Sequence, residues 1–83
     1  MKSKYQKMEK IIKLYYGDVY KVCFHFTKDE AKAKELVKDV FVNLYNEMDR
    51  LEKNQGLDLS REDKSELVVS YLIFMTKKLY IRR

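Results

Sequence analysis

The most reactive side chains in this 83-residue sequence are its one cysteine and its one histidine. Cys23 and His25 stand two residues apart in a segment with helical periodicity, and side chains at that spacing on a helix do not face each other. We therefore interpret Cys23 as a packing residue and His25 as an edge residue, not as a nucleophile and its base. The sequence contains no glycine-rich phosphate loop and no spacing typical of metal ligands. These features predict a binding module that is not an enzyme, with no cofactor and no metal site.

Aromatic rings are interleaved with cations near the C-terminus, a pattern that suits nucleic acid. Cations hold phosphates, and rings stack on unpaired bases. The residues concerned are Phe74, Lys77, Lys78, Tyr80, Arg82 and Arg83. The alternative is that Val69, Ile73 and Tyr80, which form a second apolar stripe on the same segment, pack on the first helix or on a partner subunit. Composition alone favours this packing interpretation.

An acidic face is predicted on the helix in the middle of the chain. When the apolar stripe of this helix is turned inward, four residues at i, i+4, i+7 and i+11 lie on its outer face. These residues are Glu35, Asp39, Val42 and Asn46, with Lys38 on the flank. An outward valine among acids is a modest indication of a protein partner, although single exposed apolar residues are common.

The net charge of +5 is distributed unevenly along the chain. Residues 1–26 and 67–83 carry +4 each, residues 27–53 carry −1, and residues 54–66 carry −2. Basic ends and an acidic middle suggest two partners of opposite charge. Ordinary solvated faces explain the same distribution equally well.

Helices are the elements that must position these residues. The chain has no proline and only two glycines, so it lacks the turns of a β-sandwich or barrel, while 46% hydrophobic residues can form a core. Apolar residues at steps of three and four predict helices over residues 4–26, 28–53 and 61–82. The sequence thus predicts an all-α bundle of three helices, or of four if Gly17 breaks the first, in one domain spanning residues 1–83.

The periodicity also predicts caps and core residues. Thr27, with Glu30 three residues later, is typical of a capping box that starts the second helix, and Ser60 is a weaker N-cap signal for the third. The predicted core stripes are Met8, Ile12, Tyr15, Val19, Val22 and Phe26 on the first helix, Ala33, Val37, Val40, Leu44, Met48 and Leu51 on the second, and Val68, Tyr71, Leu72, Met75 and Leu79 on the third. With one cysteine and no visible secretory signal, we expect a cytoplasmic location.

Three blocks of the sequence resemble region 2 of bacterial sigma factors in order and spacing, with the extracytoplasmic-function group as the most similar subgroup. The first block is Leu-Tyr-Tyr-Gly-Asp-Val-Tyr at residues 14–20. The second is Ala-Lys-Glu-Leu-Val-Lys-Asp-Val-Phe at residues 33–41, and the third is Ser-Tyr-Leu-Ile-Phe-Met-Thr-Lys-Lys-Leu at residues 70–79. Each block alone is degenerate, whereas three blocks in register are moderately specific.

The resemblance implies a transcription initiation module with two partners, RNA polymerase core and promoter DNA. In the family, the second helix docks on a coiled coil of the largest polymerase subunit. The residues that we assign to this contact are Glu35, Lys38, Asp39, Phe41 and Val42, although Phe41 lies nearer the predicted core and also suits packing. The family's third helix and the loop before it bind the melted −10 promoter strand, and the residues that fall on this helix are Tyr71, Phe74, Lys77, Lys78, Arg82 and Arg83. Residues 54–64 correspond to the family's base-capturing loop.

The sequence departs from the family pattern at three of these positions. Lys38 stands where glutamine is most common, Lys78 where asparagine is common, and Arg82 where aspartate is common. A lysine positions phosphate but reads no base, so Lys78 weakens the expectation of sequence selectivity. The family's second DNA-binding domain, which reads the −35 element, does not occur within these residues. This is expected for an isolated domain and also for a short natural relative.

Two other classes of protein compete with this interpretation. A helical protein-interaction module would dimerise through its third helix and bind no specific DNA. A basic helical module on duplex DNA would show no preference for melted strands. A salt-dependent affinity for single-stranded DNA distinguishes these hypotheses, because phosphate contacts release counterions. An anti-sigma protein is a further partner that the resemblance allows.

Overall fold

Three α-helices form the protein in a computed structural model, which describes residues 3–54, 56–59 and 63–82. They are α1 (Lys4–Thr27), α2 (Glu30–Asn54) and α3 (Glu66–Ile81), and none of the described residues lies in a strand. The predicted all-α bundle of three helices is therefore confirmed. The third helix begins later than the predicted residue 61, because residues 63–65 are not helical and the extended Ser65 is its N-cap. The predicted cap of this helix, Ser60, lies outside the described residues.

Helix α1 runs without interruption through Gly17, so the break that would have given a fourth helix does not occur. Its first turn is closed by a capping box, in which Gln6 N donates to Ser3 Oγ at 3.2 Å and Ser3 N donates to Gln6 Oε1 at 3.1 Å. A continuous α1 matters because both of its ends then reach residues of α2 that lie far apart along the chain.

The turn between α1 and α2 corrects the predicted cap. Thr27 is the last residue of α1, and its hydroxyl donates to Cys23 O at 2.9 Å. Lys28 follows in the left-handed conformation with φ 55°, which ends α1 and moves the start of α2 to Glu30. Asp29 is the residue that caps α2, since its Oδ1 accepts a hydrogen bond from Lys32 N at 3.0 Å.

The core lies along the line where the three helices meet. All six core residues predicted for α2 are buried, and Leu36 and Phe41 join them. Helix α1 buries Met8, Ile11, Tyr15, Val19 and Cys23, so the predicted Ile12, Val22 and Phe26 were misplaced by one position or lie at the edge of the core. The reason is that α1 packs on α2 and α3 together, which turns its buried stripe toward the seam between them. No helix among the described residues is long and apolar enough to cross a membrane.

Candidate protein-docking and nucleic-acid interfaces

An open, mostly apolar groove of about 620 Å³ lies between α1 and α2. The α1 side contributes Tyr5, Met8, Glu9, Ile12 and Tyr16, and the α2 side contributes Lys34, Val37, Lys38, Phe41, Val42 and Tyr45. Phe41 forms part of its floor with only 6% of its surface exposed, whereas Val42 at the rim is 52% exposed. The groove has the form of a seat for an apolar helix face with charged residues at its edges.

The residues predicted to contact polymerase are distributed over this groove and the adjoining surface of α2. Lys38, Phe41 and Val42 line the groove. Glu35 and Asp39 are exposed, and the helix period places them on the outer face of α2, beyond Val42. The five residues therefore share one side of α2, with Phe41 serving both the core and the groove, as its position in the sequence suggested.

Sequence reasoning missed the contribution of α1 to the groove. Tyr5 and Tyr16 are exposed at 69% and 41%, and Ile12 lines the groove while it packs against the edge of the core. The Tyr16 ring continues into a stacked row, with centroid distances of 6.1 Å to Tyr20 and 6.2 Å from Tyr20 to Phe24. The sequence did contain a sign of this row, because Tyr16, Tyr20 and Phe24 are spaced at i, i+4 and i+8 and therefore lie on one face of a helix.

Cations at the groove edge are held in place by neighbouring groups. Lys34 Nζ lies 3.2 Å from Glu30 Oε1, and this hydrogen bond and charge raise the pKa of the Lys34 ammonium above its usual value. Lys4 Nζ lies 4.4 Å from the centre of the Tyr45 ring, which is a cation–π distance. The groove therefore combines aromatic surface with lysines that are paired with acids, while Glu35 and Asp39 lie just outside it.

A second, smaller pocket of about 130 Å³ lies between α2 and α3 and is largely polar. Four residues predicted to contact DNA meet here: Tyr71, Phe74, Lys78 and Arg82. The α2 side contributes Asn43, Glu47 and Arg50, which sequence reasoning did not identify. Their spacing of i, i+4 and i+7 in the sequence already places these three side chains on one face of α2. The pocket forms because α3 packs beside that face, which the spacing does not predict.

The polar groups of this pocket are already connected. Tyr71 Oη donates to Glu47 Oε2 at 3.2 Å, and Arg50 Nη2 lies 3.2 Å from Glu47 Oε1. Burial, and then the charge of Glu47, raise the pKa of the Tyr71 phenol above its usual range, so the phenol stays protonated and keeps donating. Lys78 Nζ lies 5.5 Å from the centre of the Phe74 ring, which is 58% exposed.

Lys77 is the one described residue of the predicted DNA set that does not line this pocket. Lys77 is exposed, and the helix period places it about 100° around α3 from Lys78, beyond Phe74 at the edge of the pocket side. Arg83 lies outside the described residues. Tyr80 stacks on Phe26 of α1 with ring centroids 5.1 Å apart, and Val69 packs against the core, which agrees with the alternative that this stripe packs on the first helix.

The described residues thus form a helical module with an apolar groove and a polar pocket, and no group of three or more His, Cys, Asp or Glu side chains among them could hold a metal ion. The chain matches the family of sigma-70 region 2 over residues 11–83, a span that includes all three blocks. The protein therefore belongs to the sigma-70 region 2 family, whose members act in transcription initiation and are not a catalytic family. No curated protein and no solved structure matches the chain.

Proposed function

We propose that the domain docks on RNA polymerase core through the α1–α2 groove and the outer face of α2, and that it binds the melted −10 promoter strand at the α2–α3 pocket. The observation that carries this proposal is the convergence of Tyr71, Phe74, Lys78 and Arg82 on one pocket in a sigma-70 region 2 bundle. We also propose that the domain belongs to the extracytoplasmic-function subgroup. This assignment rests on the resemblance of the three sequence blocks.

The character of the groove supports docking on a coiled coil. A coiled coil presents helices with an apolar seam and charged flanks, and the groove offers aromatic surface with Lys38 on its edge and Glu35 and Asp39 beyond it. Mixed charges at the rim of an interface set orientation and association rate more than affinity. Phe41 and Val42 then supply apolar contact area, while Glu35 and Asp39 select the partner.

The α2–α3 pocket supports binding of an unpaired strand. Phe74 presents a ring on which a base can stack, and Lys78 and Arg82 supply positive charge for phosphates next to it. Asn43 and Glu47 add groups of the kind that hydrogen-bond to base edges. In this arrangement Lys78 contacts phosphate, and Asn43 and Glu47 of α2 discriminate between bases.

The salt dependence of single-strand binding tests the nucleic-acid half of the proposal. We expect Lys78→Ala to weaken binding of a fluorescein-labelled single strand and to reduce the slope of log affinity against log salt by about 0.7, because one phosphate contact is lost. Lys21→Ala, on the exposed face of α1, is the matched control and should leave the slope unchanged. An equal slope for Lys78→Ala and wild type in fluorescence anisotropy would remove the pocket from the DNA site.

A specific feature favours dimerisation as the second candidate. Leu67, Phe74 and Ile81 are exposed at i, i+7 and i+14 on α3, the spacing of an apolar coiled-coil position. Phe74 belongs to this stripe and to the pocket, so a dimer through α3 would compete with DNA. Sedimentation velocity with and without a single-stranded oligonucleotide separates the two functions: a monomer that binds DNA supports the first, and a dimer that excludes DNA supports the second.

A further inference from the structure

Two side chains of α1 hold the residues that immediately precede α3. The Tyr15 hydroxyl oxygen accepts a hydrogen bond from the backbone N–H of Ser65 at 2.8 Å, in a buried contact between residues 50 positions apart. One turn further along α1, Asp18 Oδ2 lies 2.9 Å from Lys64 Nζ. Neighbouring residues of the loop are thus bound by side chains at i and i+3 on the same helix face.

Core packing does not account for these contacts. The Tyr15 ring is 3% exposed and fills core volume that a phenylalanine would also fill, so the hydroxyl adds only the bond to Ser65. Ser65 is the N-cap of α3, and its own side chain makes no capping hydrogen bond. Asp18 Oδ2 is buried and accepts no hydrogen bond of good geometry from the described residues, so the Lys64 ammonium is its charge partner.

The other described part of the loop is also fixed. Leu59 is buried in the core at 5% exposure, and Leu57 N donates to Leu51 O at 3.4 Å. The loop between α2 and α3 is therefore anchored at residues 57–59 by apolar contact and at residues 64–65 by polar contacts with α1. A loop held in this way needs less ordering when it binds a ligand than a loose one.

We infer that Tyr15 and Asp18 are positioning residues for the nucleic-acid interface: through Ser65 and Lys64 they hold the end of the loop and the start of α3 in the conformation that binds an unpaired strand. The inference rests on the proposed function, because it concerns the loop and helix assigned to the melted promoter strand. Helix α1 would then contribute to the preference for single-stranded over duplex DNA, although neither Tyr15 nor Asp18 lines the α2–α3 pocket.

The test compares affinities for a labelled single-stranded oligonucleotide of mixed sequence and for the same sequence as a duplex. We expect Tyr15→Phe to weaken single-strand binding roughly threefold to tenfold, the effect of one lost hydrogen bond, and to leave duplex binding unchanged. The ratio of the two affinities should therefore fall, whereas general loss of structure would lower both. Amide hydrogen exchange should accelerate at Ser65 in the same variant.

Matched variants separate positioning from other effects. Tyr20→Phe removes a hydroxyl from the same helix and should leave the ratio unchanged. Lys64→Glu breaks the second contact on the surface and should lower the ratio, and Asp18→Lys combined with Lys64→Asp should restore it. If Tyr15→Phe does not fold, Lys64→Glu still tests the positioning role.

The outcomes distinguish this inference from the proposed function. If the wild-type domain shows no preference for the single strand, the proposed nucleic-acid function fails, and the inference fails with it. If the wild type has the preference and both Tyr15→Phe and Lys64→Glu retain it, only the positioning role is overturned. A lower ratio in both variants, with recovery in the charge-swapped pair, supports the positioning role.

Discussion

Gly17 is an exposed glycine in the interior of α1, with no atom of another side chain or element within 4 Å of the place where a Cβ would lie. We expect Gly17→Ala to raise the free energy of unfolding by about 1 kcal/mol, because alanine gains helix propensity without a clash. Denaturant unfolding followed by circular dichroism measures the change.

Gly56 provides the contrasting control for this prediction. It adopts φ +66° in the described part of the loop, where a Cβ is strained. Gly56→Ala should lower the free energy of unfolding by about 1–2 kcal/mol, the cost of placing an L-residue in the left-handed region. Stabilisation by both substitutions would contradict the conformations assigned to these two glycines.

The free energy of unfolding should depend on pH through the Tyr71 phenol. Its pKa is raised above the model-compound value of 10.0, first by burial and then by Glu47, so the folded state favours the protonated phenol. The corresponding stabilisation is complete below pH 10.0 and is lost as the pH rises through the raised pKa. We therefore expect wild type to lose more unfolding free energy than Tyr71→Phe between about pH 9 and pH 12. Equal losses would show that Glu47 and burial do not act on this phenol.

Single residues were predictable where the signal was local. The separation of Cys23 and His25 followed from helix geometry, and the structure buries Cys23 completely while His25 is exposed. The cap of α2 was assigned wrongly to Thr27, because the sequence gives no sign that Lys28 adopts a left-handed conformation and leaves Asp29 as the cap. The contact of Tyr15 with Ser65 joins residues 50 positions apart, and no periodicity predicts such a pair.

At the scale of the element, α2 separates the two proposed interfaces. Lys38, Phe41 and Val42 face the groove, whereas Asn43, Glu47 and Arg50 face the pocket, and the helix period places these sets on opposite sides. The groove and the pocket share no residue of α2, so we expect the proposed binding of polymerase at the groove to leave the pocket open to DNA.

This separation predicts independent effects of substitutions on the two sides. Val42→Arg should weaken binding of polymerase core and leave single-strand affinity within about twofold of wild type, and Phe74→Ala should do the reverse. Stacking of one base on an aromatic ring is worth roughly 1–3 kcal/mol, so Phe74→Ala should weaken single-strand binding about fivefold or more. Loss of both activities in either variant would mean that the sides are coupled or that the fold is damaged.

Periodicity predicted the helices better than it predicted their faces. All six residues predicted for the buried stripe of α2 are buried, because that helix packs with one continuous apolar face, and the stripe is wider than predicted by Leu36 and Phe41. The stripe of α1 was placed partly on Ile12, Val22 and Phe26, because a helix that contacts two partners has a wide apolar surface, and its centre is set by tertiary packing. The start of α3 at Glu66 was also missed, since Lys64 and Ser65 are held by contacts from α1 and the sequence shows no local helix breaker there.

At the scale of the whole molecule, a small bundle presents two different surfaces. Its extents are 39 × 22 × 20 Å, and α2 forms one wall of the groove and one wall of the pocket. The fold class and the family were predictable, because three sequence blocks share one register and the match over residues 11–83 includes them all. The groove was not predictable, since it exists only where the sides of two helices face each other.

The proposed docking on RNA polymerase core depends on the outer face of α2. The most direct measurement is a pull-down of bacterial polymerase core by the purified domain, with Glu35→Lys/Asp39→Lys beside wild type. Both acids are exposed, so the double variant should keep a cooperative thermal melt. Asp58→Lys/Glu66→Lys is the matched control, because it makes the same change in net charge away from the groove.

We predict that wild type and the control variant retain polymerase core, and that the Glu35→Lys/Asp39→Lys variant retains at most about a tenth as much, since like charges at an interface cost several kcal/mol. Equal retention by all three proteins, or no retention by a well-folded wild type, would contradict the proposed docking.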